Sequence, residues 1–183
     1  MYYPRRTAMK TNDRLLAIDS SAQRWSENVP GMPQVDVTLM RLMRVASQGI
    51  TACFDPILRT AGLTESSFHT LVVVVGSGSR GTTPTALCEQ VGQNRANMTR
   101  ILDLLLSENL VRVGVHERDA RRKRVSVTAA GRRLIKAYAA RFAPIVEEVF
   151  RRLDAKDKRE FERLLRTVIS SMDAAERVVG RTA

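Results

Sequence analysis

The chain alternates between segments with apolar residues every three to four positions and short breaks rich in proline, glycine or asparagine. That spacing is typical of amphipathic helices. A first long helical pattern begins at Asp36 and ends at Gly62, which suits a helix C-terminus. A second pattern, TESSFHTLVVVV, begins at Thr64, whose hydroxyl suits an N-cap. Its four valines also suit a buried strand, but the cap favours a helix.

Two shorter helices follow. Thr83 and Pro84 combine a capping hydroxyl with a residue that needs no amide donor, so they predict a helix start. That helix ends at Gly92, and Asn94 caps the next one, which runs to Asn109, a residue suited to the left-handed conformation. The apolar stripe of this second helix consists of Met98, Ile101, Leu102, Leu105 and Leu106. Two helices joined by a tight turn predict a helix-turn-helix.

A hairpin and two long helices complete the pattern. Residues 110–115 read as a strand, a charged tip follows, and residues 124–128 read as the returning strand. Thr128 and Gly131 signal the start of a helix to Leu153, and Asp154 caps a last helix. These two helices and the first have more apolar surface than a small winged domain covers, so we expect a second copy of the chain to cover it.

The predicted fold is mainly α with a small β-hairpin wing: a winged helix-turn-helix with long N- and C-terminal dimerisation helices. We expect an N-terminal extension over residues 1–34, partly helical or disordered, and a tail over residues 176–183. The domain between them, residues 35–175, divides into dimerisation helices at 36–61 and 131–173 and a winged helix-turn-helix at about 63–130.

The charge of the chain indicates a polyanionic partner. Among 183 residues the formal net charge is +11 and the pI is near 10.7. Nine Lys or Arg residues against two acids fall between Arg112 and Lys136, so the charge is concentrated on the hairpin and its surroundings. A basic hairpin behind a helix-turn-helix favours DNA as the partner.

Several other classes of protein are disfavoured. No apolar run approaches the ~20 residues of a membrane span, and the N-terminus lacks the apolar core of a secretion signal. Cys53 and Cys88 have no metal-ligand or disulfide spacing, so we expect no metal or cofactor and a reducing cytoplasm. Two histidines cannot assemble a catalytic cluster, so we expect no enzyme. The loop GSGSRG at residues 76–81 is followed by no GK[ST] and reads as a turn.

Three motifs lead to a known family. The spacing D-x-R-x-x-x-V-x-L-T-x-x-G is filled, with valine in place of leucine, by Asp119, Arg121, Val125, Val127, Thr128 and Gly131. Residues 106–111, LSENLV, match an ending "leer-Gly-Leu-Val", and Leu63, Thr64 and Phe68 match a Leu-Thr-x-x-Gln-aromatic opening, with Ser67 where glutamine is common. Over about residues 36–173 the chain therefore resembles the MarR family of winged-helix regulators.

The resemblance implies a triangular homodimer whose base is formed by the first, fifth and sixth long helices. Two winged lobes would then bind pseudo-palindromic double-stranded DNA with half-sites about 10 bp apart. It also implies that Asp119 orients Arg121 into the minor groove, where a narrow groove favours a cation.

The residues themselves suggest the other DNA contacts. Arg95 and Arg100 can donate to guanine and Asn97 can pair with adenine, or they touch phosphate instead. Asn94 and Thr99 suit phosphate contacts or caps, and Thr82 and Thr83 suit a phosphate at a helix start. Phosphate neutralisation in the wing is expected from Arg122, Lys123 and Arg124. The alternative for the wing is a solvated charged loop.

Family members commonly respond to small aromatic acids or phenols, so the resemblance also implies an effector between the dimer helices and the winged lobe. His69, followed by Thr70, is a candidate because imidazole changes charge near neutral pH, although such a histidine more often completes a core hydrogen bond. The polar partners expected on the first long helix are Arg41, Arg44, Ser47 and Thr51.

Two alternatives remain. A cysteine-based redox regulator requires an exposed, electropositive thiol, whereas both cysteines have apolar neighbours and are expected to be buried. Cys53 also lies far along the first core helix, whereas the sensing cysteine of such relatives lies near its beginning. A basic architectural protein would bind DNA or RNA through charge without reading sequence.

Overall fold

The computed structural model describes residues 10–29, 31–116 and 119–182. Within them the chain is mainly helical with one antiparallel hairpin, as expected. The elements are α1 (Thr11–Asn28), α2 (Gln34–Arg59), α3 (Glu65–Gly76), a 3-10 turn (Gly78–Arg80), α4 (Pro84–Val91), α5 (Arg95–Ser107), β1 (Val111–His116), β2 (Asp119–Val127), α6 (Ala129–Val149) and α7 (Ala155–Thr182).

Some element boundaries differ from the predicted ones. Helix α2 begins at Gln34, directly behind Pro33, because a proline is tolerated where a helix starts. Strand β2 begins at Asp119, earlier than the predicted residue 124, because strand pairing is a property of the backbone and tolerates charged side chains. Helix α7 continues through residue 182, past the predicted tail boundary, since no proline follows Asp154 in the sequence.

The helix ends confirm the predicted caps. Thr64 and Ser67 form a reciprocal capping box at the start of α3, so the serine fills a structural role at the position where glutamine is common in the motif. Thr83 caps α4, and Gly92 ends it in the left-handed conformation with φ 66°. Asn109 has φ 53°, as its position behind α5 predicts.

The chain forms two compact units, residues 1–136 and 137–183. The core of the first unit joins α2, α3, α4, α5 and the hairpin. Its fully buried large side chains are Leu58, Leu63, Leu71, Val74, Leu87, Met98, Leu105, Val111 and Val125. Burial of each such side chain contributes about 1.5–3 kcal/mol, so this core fixes the two helices of the helix-turn-helix against the hairpin.

Strand β2 of the hairpin also pairs with a residue outside the hairpin, Thr82. Val111 lies opposite Val127 and Val113 opposite Val125 in the antiparallel ladder. Thr82 pairs with Val125 through two hydrogen bonds of 2.9 and 2.7 Å between backbone nitrogen and oxygen atoms. The approach to α4 is therefore joined to the root of the wing.

The second unit contains most of α6 and all of α7. The rings of Tyr138 and Phe142 meet edge to face at 5.7 Å, and the Asp154 carboxylate caps α7 by accepting from the amides of Lys156 and Asp157. A hydrogen bond from Arg163 lowers the pKa of the Glu160 carboxyl group. Apolar side chains along α7 remain 38–61% exposed: Phe161, Leu164, Val168, Ile169 and Met172. Two of them, Phe161 and Ile169, line a largely apolar groove of about 650 Å³ together with Leu165 and with Val146 of α6.

Candidate nucleic-acid interface

The N-terminal turn of α5 is held by its cap. The side-chain oxygen of Asn94 accepts a 2.8 Å hydrogen bond from the Asn97 amide, which satisfies one of the free donors of the helix start. Met98 and Ile101, in the first turns of α5, are buried and fix which face points outward. The predicted role of Asn94 as a cap is therefore confirmed.

Two arginines project from this part of α5. Arg95 and Arg100 are exposed, and neither is paired with a carboxylate within the described residues. Thr99 is also exposed, but its hydroxyl donates to the Arg95 carbonyl at 2.9 Å. Asn97 is half-buried and its side-chain amide donates to Gln93 at 2.5 Å. The two guanidinium groups are thus the polar groups here that are free to meet a ligand without breaking an internal hydrogen bond.

The start of α4 lies against the wing. Thr82 and Thr83 are both half-buried. Thr82 holds the backbone bridge to Val125, while the Thr83 hydroxyl accepts from the Ala86 amide at 3.2 Å. A phosphate at this position would meet the amides of the first turn of α4, since the helix dipole favours an anion there.

The wing cations differ in their surroundings. Lys123 is exposed, whereas Arg124 is half-buried and its guanidinium donates to the carbonyl oxygen of Ser79. The side chains of Asp119, Arg121 and Arg122 lie outside the described ones, so their expected roles stay predictions.

Two glycines allow the backbone to approach closely around the wing. A Cβ on Gly81 (φ 61°) would lie 2.6 Å from the Val125 carbonyl oxygen, and one on Gly131 would lie 2.2 Å from the Leu110 carbonyl oxygen. Thr128 completes the second junction, donating to the Asn109 carbonyl at 2.7 Å and accepting from the Gly131 amide at 3.0 Å. The ends of the hairpin are therefore fixed to the elements on either side.

The effector candidates are dispersed over the first unit. His69 is exposed, so the interpretation of it as a core residue is wrong; it lies on the outer face of α3, beside buried Thr70. The Thr70 hydroxyl donates to the Ser66 carbonyl at 2.8 Å. On α2, Arg41 is half-buried and Arg44 exposed.

Ser47 and Thr51 instead border a groove of about 590 Å³ between α1 and α2, most of whose lining residues carry polar side chains. Sequence reasoning missed the other residues of this groove, among them Lys10, Arg14 and Gln48. Arg14 donates to the Gln48 side chain at 2.7 Å. The spacing of polar residues along α2 indicates a polar face, but Arg14, which bonds Gln48 on that face, lies 34 residues earlier in the N-terminal extension.

The expectation of two buried thiols is wrong for Cys53, which is exposed, while Cys88 is half-buried. Leu58 is buried, and Phe54, four residues earlier, shares its face of α2. Cys53 is turned away from that face by one helical position, about 100°.

The described residues contain no cluster of three or more His, Cys, Asp or Glu side chains suited to a metal ion. None of the helices in this part of the chain combines the length and apolar character that a membrane crossing requires.

Comparison with known proteins leads to one family. Residues 61–122, which hold α3, α4, α5 and β1, match the family model described as MarR family. The transcriptional repressor MprA of Escherichia coli (strain K12) is 21% identical over 144 residues, covering 79% of this chain and 82% of that protein.

Two solved structures show the same fold. The Staphylococcus aureus MepR–DNA complex superposes with a TM-score of 0.66 at 20% identity, covering 73% of this chain and 95% of that one. Streptomyces coelicolor PcaV with its natural ligand gives a TM-score of 0.62 at 20% identity, covering 80% and 96%. The matched segment, the related repressor and the shared fold confirm the resemblance seen in the wing motif. The winged helix-turn-helix segment of the chain, residues 61–122, is that of the MarR family of regulators.

Proposed function

We propose that the protein is a homodimeric transcriptional repressor that binds a pseudo-palindromic DNA operator and is released by a small aromatic acid or phenol. The observation that carries the DNA-binding part is the pair of exposed arginines, Arg95 and Arg100, on a capped helix within a helix-turn-helix. Guanidinium groups at the start of such a helix suit guanine edges in the major groove. The MepR structure is that of a DNA complex.

The homodimer is supported by exposed apolar surface on the long helices. Five large apolar side chains on α7 are 38–61% exposed, and their positions, 161, 164, 168, 169 and 172, fall on one broad face of the helix. Helix α2 exposes further apolar side chains, among them Leu39, Met40 and Ile50. Surface of this kind is costly in water, and a second copy supplies a matching stripe.

The DNA-binding proposal is tested by selecting duplexes from a random-sequence library and footprinting the product. We expect a discrete protected palindrome. Arg95→Ala and Arg100→Ala should each weaken binding by about 1–3 kcal/mol and relax sequence preference, because base contacts are lost. Arg159→Ala on α7 removes the same charge from an exposed site and should have little effect.

Salt dependence provides a second readout of the same experiment. If the dimer neutralises about eight phosphates, affinity falls by about 10³ to 10⁵ between 50 and 200 mM salt. A binding constant nearly independent of salt would contradict the proposal. Uniform coating of DNA would support a basic architectural protein instead.

The effector proposal rests on chemistry near α3 and on PcaV, whose structure contains its natural ligand. An exposed imidazole at His69 is free to meet a carboxylate or phenolate. A thermal-shift screen of benzoates, hydroxycinnamates and pyridine carboxylates should yield a compound that also releases DNA, and His69→Ala should weaken its shift. An unchanged shift removes His69 from the site. Release by peroxide that Cys53→Ser abolishes would favour the redox alternative.

We place this activity in the cytoplasm, where a DNA operator is available to the protein. The two free cysteines fit a reducing setting.

A further inference from the structure

The loop between α3 and α4, residues 77–83, is fastened to β2 at three points. Thr82 and Val125 exchange two backbone hydrogen bonds. Gly81 lies so close to the Val125 carbonyl that a side chain there has no room. The Arg124 guanidinium donates to the Ser79 carbonyl oxygen, across 45 residues of sequence.

Arg124 and its neighbour Lys123 therefore face different surroundings. Adjacent strand residues point to opposite faces, and here one is exposed while the other is half-buried against the loop. Moving the Arg124 side chain away from the loop to a phosphate would break its hydrogen bond to the Ser79 carbonyl oxygen. The loss of a charge-assisted hydrogen bond opposes that movement.

We infer that Arg124 is a positioning residue that fastens the wing to the α3–α4 loop, and that the adjacent Lys123 is the phosphate contact. This inference rests on the proposed DNA binding. It gives the GSGSRG segment, which the sequence assigns no chemistry, a structural role in aiming the wing. It also assigns different roles to Lys123 and Arg124, which the sequence alone predicts to be equivalent phosphate contacts.

The first test measures hydrogen exchange in the full chain without DNA. Arg124→Met keeps an alkyl stem but cannot donate, and Lys123→Met is the matched control that removes the same charge one residue away. We expect the Thr82 and Val125 amides to exchange about tenfold faster in R124M. They should stay unchanged in K123M. Equal exchange in R124M and wild type would overturn the fastening.

The second test is a double-mutant cycle on a duplex that the wild-type protein selects from a random library. If Arg124 aims the wing, R124M weakens binding about tenfold, and K123M costs much less in the R124M background than alone, because the wing is already displaced. Additive losses would make Arg124 an independent phosphate contact and overturn the inference. Faster exchange with unchanged DNA affinity would overturn its role in binding.

Gly81→Ala loosens the same junction without removing a charge. It should reproduce both effects of R124M, namely faster exchange at Thr82 and a smaller cost of K123M. If G81A binds DNA as wild type does while exchange at Thr82 rises, wing aiming does not depend on this junction. A wild-type protein that selects no duplex at all contradicts the proposed function, whereas the exchange experiment still reports on the fastening.

Discussion

At the scale of single residues, the backbone packs most closely at glycines, which have no Cβ atom. Gly131 lies in the first turn of α6, where a Cβ would overlap the Leu110 carbonyl oxygen at 2.2 Å. Gly49 lies within α2, where a Cβ would meet the methyl group of Thr11 at an ordinary 3.5 Å. The two glycines are both helical, yet only one is required by packing.

Alanine at these two positions should therefore change stability in opposite directions. Gly49→Ala should stabilise the protein by about 0.4–1 kcal/mol, because alanine restricts the unfolded chain and fits the folded one. Gly131→Ala should destabilise it by about 1–3 kcal/mol, because the backbone must shift to admit the methyl group. Urea unfolding followed by circular dichroism measures both. A stabilising G131A would show that the junction with Leu110 yields easily.

At the scale of elements, what the sequence predicts well is local. Local interactions, within a few residues, determine the capping roles of Thr64, Thr83 and Asn94 and the left-handed conformation of Asn109. They can therefore be predicted from the sequence. The contact of Arg124 with Ser79 depends on two segments 45 residues apart. No periodicity could reveal it, nor the exposure of His69, because an apolar run does not show which of its members face the core.

The cap of α5 separates a structural role from a DNA-binding role at Asn94. Asn94→Ala should cost about 1 kcal/mol of stability because it removes an N-cap, whereas Asn94→Asp keeps a capping oxygen and should unfold as wild type does. On DNA, Asn94→Asp should bind more weakly because it adds a negative charge at an exposed position. Thermal unfolding and DNA titration measure the two effects. Equal DNA affinity of N94D and wild type would place Asn94 away from phosphate.

At the scale of the whole molecule, the exposed apolar stripe of α7 has to be accounted for. Ile169 is 61% exposed, more than the other apolar residues of that stripe, while the next residue, Ser170, bonds its own helix by donating to the Arg166 carbonyl. Both residues belong to α7, but Ile169 lies on its apolar face and Ser170 on its polar face. A homodimer that uses the apolar stripe of α7 must bury Ile169 and leave Ser170 exposed.

A charge at each position tests this. Ile169→Glu should convert the proposed dimer into monomers, since a buried carboxylate without a partner is costly, and DNA affinity should fall with it. Ser170→Glu adds the same charge on the polar face and should leave the dimer intact. Sedimentation equilibrium gives the mass of each variant. A dimeric I169E would exclude this stripe from the interface.

The junction of Asn109, Leu110, Thr128 and Gly131 has a consequence for how the wing can vary. Both ends of the hairpin are fixed there by side-chain hydrogen bonds and by backbone contact without an intervening side chain. A change of length near either end would shift α5 or α6, while a change beyond the Val113–Val125 pair would shift neither. We therefore expect that hairpins of other lengths and charges can replace the part of the wing beyond Arg124 while α5 keeps its place.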